Sequence, residues 1–395
     1  MSSSLLLELE NLLKKPIASI KDYESSLFEQ LLEKSQGQIV LFGAGNLGKK
    51  CLAGLRSVGI EPVAFADNNM ALWGTKIEGV EVLSPEIAAQ KYGDNALFIV
   101  TIWSPGRNRR FVLLRDQLHQ LNCLNVTSFI TLFWQYPAIF LPYYCIDLPH
   151  KIYEQLDDVI AVFSLLSDDY SKQQYLNQLK WRICLDFDHL SSSTEIQYLP
   201  KLLLPLLRYE VFIDCGAFDG DTVKTLINTQ KDSFEKIICF EPDPSNVEKL
   251  KDYISNLDNV IQEKVVVYQN ATGKKKEKIR FLATGSGASA ISLEGELEVD
   301  SIPLDEILAD EVPTFIKMDI EGAEIDTLLG ASHIIEKYHP ILALSVYHQQ
   351  DHLWRIPLLV NSICSDYSYF LEPHGEDGLD LVLYAIPNSR FTSEA

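Results

Sequence analysis

The chain has 395 residues, more than one ordinary domain needs, and with 47% hydrophobic and 23% charged residues it has the composition of a folded protein with an ample core. A formal net charge of −21 sets it against phosphate backbones and anionic membrane surfaces, whose binding draws on Lys and Arg, so no nucleic-acid partner is expected. Seven cysteines, odd in number and without a C-x-x-C pair, suggest neither a disulfide framework nor a zinc knuckle, and a cytoplasmic location follows as the expectation.

In chain order, Leu5 to Leu13 mixes leucine with acidic residues and reads as an amphipathic helix within an N-terminal helical segment, 1–35, with no signal-peptide pattern. From Gln38 the apolar run Ile39-Val-Leu-Phe42 is followed by Gly43-Ala-Gly-Asn-Leu-Gly48, a helix-period stretch to Ser57, and Pro62-Val-Ala-Phe65 ending at Asp67: strand, glycine turn, helix, strand. Ser84-Pro85-Glu86 is a helix-start signal. Ala96 to Thr101 reads as a third strand, followed by a helix through Arg107 to Leu121. These elements predict a small parallel Rossmann-like α/β domain over 36–147. The aromatic-rich run Phe129–Leu148 contains Gln135, Pro137, Pro142 and Asp147, which excludes a membrane span and predicts buried strand and turn, with the aromatics as an alternative sugar or partner surface.

Residues 148–207 contain no glycine and carry helix-period patches at Ile152-Tyr153-Leu156-Val159-Ile160 and Tyr175-Leu179-Ile183. They predict a helical connector that packs on the second domain as a cover. A second alternation fills 208–395, with strands at Val211–Asp214, Lys236–Glu241, Val265–Tyr268, Thr314–Met318 and Ile341–Val346. Two closing strands, Tyr367–Leu371 and Leu381–Ile386, are linked too briefly for a crossover helix and should pair antiparallel. Lys274-Lys-Lys276 reads as the tip of a solvated hairpin.

In an open α/β sheet, ligands bind beyond the C-terminal strand ends, where glycines admit the ligand to the backbone. Asp214-Cys-Gly-Ala-Phe-Asp-Gly220, followed by Asp221-Thr222, stands at that position. Gly216 and Gly220 clear space there, with Ala217 and Phe218 between them. Asp214, Asp221 and Asp219 are candidates for a positive amino group. Glu241, with Pro242 after it, ends the second strand about 20 residues on, where an acid accepts both ribose hydroxyls. Asn270-Ala271 follows the third strand, at the expected adenine edge, although Asn270 reads equally well as a turn residue. The glycine spacing D-x-G-x-x-x-G departs from the dinucleotide G-x-G-x-x-G and suits S-adenosylmethionine. Five parallel strands closed by an antiparallel hairpin match the seven-stranded mixed sheet of class I methyltransferases.

Phe212-Ile-Asp-Cys-Gly-Ala-Phe-Asp-Gly-Asp-Thr222, Phe240-Glu-Pro-Asp-Pro-Ser-Asn246 and Phe315-Ile-Lys-Met-Asp-Ile-Glu-Gly-Ala-Glu324 together resemble the FkbM family of methyltransferases. The resemblance spans about Tyr198 to Pro387 and includes Ser301–Glu306 and Ser345-Val-Tyr-His348. It implies O-methylation of a hydroxyl on a small acceptor, of sugar or polyketide type. Phe370-Leu-Glu-Pro-His374 stands where one common family ending has a basic Leu-Arg-His-like segment, so the acceptor stays open. The N-terminal half resembles nucleotide-sugar-binding Rossmann domains attached to sugar-modifying transferases.

Methyl transfer from a sulfonium is an in-line displacement that needs a placed acceptor oxygen and a base for its proton. Asp319, just past the fourth strand, is the first candidate base. His348, past the fifth, is its rival, and Glu321 stands beside Asp319; His352, His374 and Asp351 are lesser candidates. Glu321 and Glu324 also read as helix-start acids. A divalent ion on Asp319, Glu321 and Glu324 is the alternative chemistry, but no metal is the expectation.

In the N-terminal half Gly43, Gly45, Asn46 and Gly48, with Asp67 for ribose hydroxyls, form a candidate second site for a nucleotide or nucleotide-sugar. A structural domain without a ligand is the bland alternative. Two further readings compete for the whole chain: an NAD(P)-dependent oxidoreductase on Gly43–Asp67, for which no hydride-transfer constellation is evident, and a binding protein without turnover. An oligomer of identical chains is compatible with all three.

Overall fold

The computed structural model describes residues 2–104, 110–200, 209–230, 233–285, 290–291 and 295–392. Two compact units emerge. The first comprises Met1–Leu156, Gln173–Ser192 and Gly375–Leu379, and the second Asp157–Lys172, Ser193–His374 and Asp380–Ala395. The segment 148–207, read as one connector, is thus divided. Its helices run His150–Tyr153, Leu156–Leu165 and Asp169–Cys184. Residues 157–172 join the second unit, where the Ser167 and Ser171 side chains accept from the backbone N–H groups of Tyr369 and Leu371 at 2.8 and 2.9 Å.

The first unit is built on β1 (Gln38–Phe42), β2 (Ala64–Ala66), β3 (Lys76–Ile77), β4 (Val80–Leu83), β5 (Ala96–Val100) and β6 (Asn125–Ser128), in the order β3-β4-β2-β1-β5-β6. All neighbours are parallel except β3 and β4. β2 and β5 are buried at every position, as a sheet covered on both faces requires. Ser84 caps the helix Pro85–Tyr92 as its sequence signals, accepting from the Ile87 N–H at 3.3 Å. The helix expected through Arg107 begins at Phe111, and Arg107 itself lies outside the described residues.

Phe129–Leu148 departs from the expectation of strand and turn. It forms the helices Ile130–Gln135 and Pro137–Phe140, with Phe133 stacked on Phe140 at 4.3 Å between ring centroids. A short run that is apolar all round has no period to separate strand from helix, and packing decides. Among the described residues no helix is long and apolar enough to cross a membrane.

The second unit contains β7 (Val211–Cys215), β8 (Lys236–Phe240), β9 (Val265–Tyr268), β10 (Ala271–Thr272), β11 (Glu277–Leu282), β12 (Ala290–Ile291), β13 (Leu297–Ile302), β14 (Phe315–Met318), β15 (Ile341–Ser345), β16 (Tyr367–Pro373) and β17 (Leu381–Pro387). Seven of these form a mixed sheet, β16-β17-β15-β14-β7-β8-β9, in which β17 runs antiparallel to both its neighbours. One face packs Phe212, Ile237, Phe315 and Ala343 against Val223 and Leu226 of the helix Asp221–Gln230 and Leu250 of Pro244–Ser255. The remaining strands form a separate sheet, β10-β13-β11-β12, that sequence patterning missed. Lys274–Lys276 is not a hairpin tip: β10 and β11 do not pair but flank β13 on either side. Strands of two residues, such as β10, carry no legible alternation.

Candidate active site

The register of β7 and β14 builds the floor of the site. Asp214 and Lys317 are cross-strand partners, so their side chains lie on the same side of the sheet. Both are almost wholly buried, with Lys317 Nζ 3.0 Å from Asp214 Oδ1. The ammonium also donates to the Gly216 carbonyl at 2.6 Å. Burial pushes the Asp214 carboxyl up to about 6, against the pull of Lys317. Lys317 stays charged because Asp214 and Asp319 outweigh its desolvation. Asp214 was expected at a ligand's amino group, but its partner here is Lys317, and the pair sets the carbonyl of the glycine turn. Lys317 escaped the sequence reading, although a lysine in the apolar run Phe315-Ile-Lys-Met318 was a visible signal.

From that floor the turn leaves β7. The N–H groups of Gly216 and Ala217 both donate to the Phe240 carbonyl, at 2.9 and 3.1 Å. Gly216 has a φ of +80° and lies against the chain past β14: a Cβ there would sit 1.9 Å from the Asp319 carbonyl oxygen. Phe218, at φ +47°, donates its N–H to Glu241 Oε2 at 2.9 Å. Glu241 Oε1 accepts from the Asp243 N–H at 2.9 Å, which carries the chain across Pro242. Glu241 is buried, and burial raises its pKa against these bonds. With the Asn246 side chain also bonded to it, the carboxylate keeps acceptor capacity beyond these bonds.

The other expected turn residues divide. Asp219 Oδ1 is buried, lies 3.5 Å from the Lys224 ammonium and accepts no hydrogen bond. Gly220, at φ +86°, packs on Leu250. Asp221 is exposed at the helix start, where Oδ1 accepts from the N–H of buried Thr222 at 2.7 Å. Asn270 donates its side-chain amide to the Asp300 carbonyl at 3.3 Å, and Ala271 is buried in β10. Asp243, not singled out from sequence, accepts from the N–H groups of Ser245 and Gly285 at 2.9 Å each, which caps one helix and anchors a distant loop.

The candidate proton-handling residues converge beside this turn. His348 Nε2 lies 3.2 Å from Asp319 Oδ1 and 3.9 Å from Glu321 Oε1, while Nδ1 lies 2.8 Å from Glu324 Oε1. His352 Nδ1 faces the other Glu324 oxygen at 3.3 Å. Tyr198 donates to Asp319 Oδ2 at 2.7 Å, and Tyr347 is 3.5 Å from Oδ1. Burial works against the charge on Asp319, yet His348, Lys317 and the Tyr198 hydroxyl hold its carboxyl well below the usual range. Burial likewise opposes charge on His348, but Glu324 and Asp319 raise it well above an ordinary histidine. Glu321 is pushed up to about 7, chiefly by burial. Asp380, half-buried beside Asp319 and Tyr347, is pushed up to about 6, chiefly by desolvation. Tyr198 and Asp380 were missed because they arrive from distant segments, and Tyr347, although next to His348 in sequence, carries no motif that marks it.

The helix-start reading holds for Glu324, which opens the helix Glu324–Leu329 and accepts from the Ile320 N–H at 3.0 Å. It fails for Glu321, which stands off the helix at φ +53°. With Glu324 taken by two histidines and a backbone N–H, the three acids do not form an ion cage, and among the described residues no group of three or more His, Cys, Asp or Glu could hold a metal. Of the lesser candidates, His352 joins the cluster and the other two lie apart. Asp351 pairs with Arg355 at 2.9 Å, and His374 is bonded to the Tyr384 hydroxyl at 2.9 Å with its pKa lowered to about 4 by burial.

The family model for the methyltransferase FkbM domain matches residues 214–372, which takes in the glycine turn, Glu241 and the Asp319–His348 cluster. Residues 214–372 are an FkbM methyltransferase domain. A solved structure of methyltransferase FkbM from Methylobacillus flagellatus KT superposes with a TM-score of 0.78 at 22% identity, over 97% of this chain and 98% of that one, which shows a shared fold. A putative rRNA-methylase from Clostridium thermocellum, at TM-score 0.31 and 9% identity over 45% of this chain and 86% of that one, is too distant to carry any argument. A search of curated proteins found no match. The FkbM domain thus holds every residue placed at the catalytic cluster except Tyr198 and Asp380, which flank it in sequence.

In the first unit, Gly43, at φ +121°, and Gly48 are packed too closely for a side chain: a Cβ on Gly48 would lie 2.0 Å from the Gly43 carbonyl oxygen. Gly45 has open space, and Asn46 begins the helix Asn46–Ser57. Asp67 accepts from the N–H groups of Ala44 and Asn69 at 2.7 Å each.

Proposed function

We propose that the chain is an S-adenosylmethionine-dependent O-methyltransferase that acts on a hydroxyl of a small, sugar-type acceptor. The observation that carries this reading is the contact of Gly216 with the Asp319 carbonyl. This contact supports the reading because it sets the turn suited to a methyl donor beside the cluster of Asp319, Glu321 and His348. The residues fit such a donor: Glu241 keeps acceptor capacity for a ribose hydroxyl, and the buried Asp219 Oδ1, which accepts no hydrogen bond and has only Lys224 nearby at 3.5 Å, suits an ammonium group. Bound there, the donor would supply an activated methyl group. Orienting the acceptor oxygen and taking its proton fall to Asp319, His348 and Glu321. Tyr347 and Asp380 add hydrogen-bonding groups at the same edge, in keeping with a polyhydroxylated acceptor.

Calorimetry with S-adenosylhomocysteine, together with methyl-labelled S-adenosylmethionine offered to sugars and nucleotide-sugars, tests the reading. Binding of the thioether product and label on an acceptor hydroxyl are the expected results. Absence of S-adenosylhomocysteine binding would sink it.

A nucleotide or nucleotide-sugar ligand for the first unit rests on one parallel. Ala44 donates to Asp67, and Phe218 to Glu241, each across 23 residues and from the turn after the first strand to the acid after the second. Titration with a nucleoside diphosphate sugar and with NAD tests it; NAD binding without S-adenosylhomocysteine binding would favour the oxidoreductase.

A further inference from the structure

His348 is the obvious base by residue type, but the carboxylates on both sides of its ring oppose that role. Both ring nitrogens face carboxylates, Nδ1 toward Glu324 at 2.8 Å and Nε2 toward Asp319 at 3.2 Å. Nδ1 is hydrogen-bonded to Glu324, and Nε2, which has no hydrogen bond of its own, lies near enough to the Asp319 carboxylate for the two acids to hold the ring as a cation against burial. Glu324 is kept ionised from three sides, by His348, by the Ile320 N–H at 3.0 Å and by His352 at 3.3 Å, with its side chain wholly buried. The imidazolium is therefore locked from below. Asp319 already accepts from Tyr198 at 2.7 Å and from Tyr347 at 3.5 Å, with His348 Nε2 3.2 Å from Oδ1. Glu321 is different: among the described residues its carboxylate accepts no hydrogen bond, and its nearest charged neighbour is His348 Nε2 at 3.9 Å. It is partly open to solvent, and its φ of +53° is a strained setting for a side-chain-bearing residue, of the kind that persists at functional sites.

We propose that Glu321 is the catalytic base, with Glu324 and His352 as positioning residues that keep His348 a permanent cation beside it. This rests on the methyl-donor reading above. The acceptor O–H proton passes to the Glu321 carboxylate as the acceptor oxygen forms its bond to the methyl carbon. The carbon–sulfur bond breaks with its electron pair going to sulfur, so that the sulfonium becomes a neutral thioether. The fixed positive charge of His348 steadies Asp319, which is left to orient the hydroxyl. A carboxyl pushed up to about 7 by burial is half ionised near neutrality, where general bases work best.

The test is an NMR titration of the full chain carrying 15N-histidine and 13C-carboxyl glutamate, from about pH 5 to about pH 9. His348 is expected to stay doubly protonated throughout and to begin titrating in Glu324→Gln. One glutamate carboxyl should titrate near neutral pH, and that signal should be missing in Glu321→Gln. Loss of the His348 proton midway through the range in the unaltered chain, or a Glu321 signal in the ordinary carboxylate range, would overturn the assignment. With an acceptor identified by the label screen, Glu321→Gln should lose about 100-fold or more in kcat at similar KM while binding S-adenosylhomocysteine as the unaltered chain does. Weakened binding in that variant would place Glu321 in the donor site and overturn the base assignment alone. Failure of the unaltered chain to bind would overturn the donor reading together with it.

Discussion

The backbone of Gly216 touches the carbonyl oxygen of Asp319 so closely that a Cβ on Gly216 would sit 1.9 Å away. Parallel pairing of β7 with β14 sets Cys215 opposite Met318, and each strand then turns outward at the same level. The glycine turn and Asp319, proposed here for the donor and the acceptor, are thus held at fixed separation by main chain, not by side chains.

Gly216→Ala should therefore damage both functions at once. The added methyl meets a backbone oxygen, and the φ of +80° disfavours any side chain. A loss of about 2 kcal/mol or more in stability is expected, with S-adenosylhomocysteine affinity reduced at least tenfold. Chemical denaturation and calorimetry read the two effects.

Glu241→Ala removes the acceptor for the N–H groups of Phe218 and Asp243 as well as the expected ribose contact. Affinity for S-adenosylhomocysteine should fall about 10- to 100-fold, the equivalent of one or two charge-assisted hydrogen bonds. Glu241→Gln should recover part of it, since the amide oxygen still accepts one N–H.

Lys317→Met leaves Asp214 buried without its partner. A loss of about 3 to 5 kcal/mol is expected on urea unfolding. Combining it with Asp214→Asn should restore much of the stability but not donor binding, because the Gly216 carbonyl still lacks its ammonium donor. Equal stability of the single and double variants would show that the pair is not the source of the effect.

Stability should also depend on pH through Glu321. Its carboxyl is raised from the usual 4.5 to about 7, so between those values the folded state binds more protons than the unfolded one. Stability contributed by the protonated group is full below the unfolded value and is lost as pH rises toward 7. Glu321→Gln should accordingly be more stable than the unaltered chain at pH 8, by about 1 to 3 kcal/mol, and no more stable at pH 4. Asp214 and Asp380, each pushed up to about 6, have the same sign. Glu324 has the opposite one: its lowered pKa adds stability above the ordinary value, lost as pH falls. Thermal melts across pH separate the two.

The linear chain by itself determined the seven-stranded sheet, the glycine turn at Gly216 and the acid at Glu241, because strand period, glycine spacing and strand-end position are local properties that a sequence displays directly. It also placed Asp319, Glu321 and His348 at one sheet edge, since each follows the end of a central parallel strand. What only the tertiary structure decided was how those residues share protons. Strand register pairs Asp214 with Lys317, Glu324 anchors His348 besides opening a helix, and Tyr198 and Asp380 enter from segments far apart in the chain. Ionisation is set by burial and by the neighbours folding brings within a few ångströms, and neither is written in any stretch of sequence.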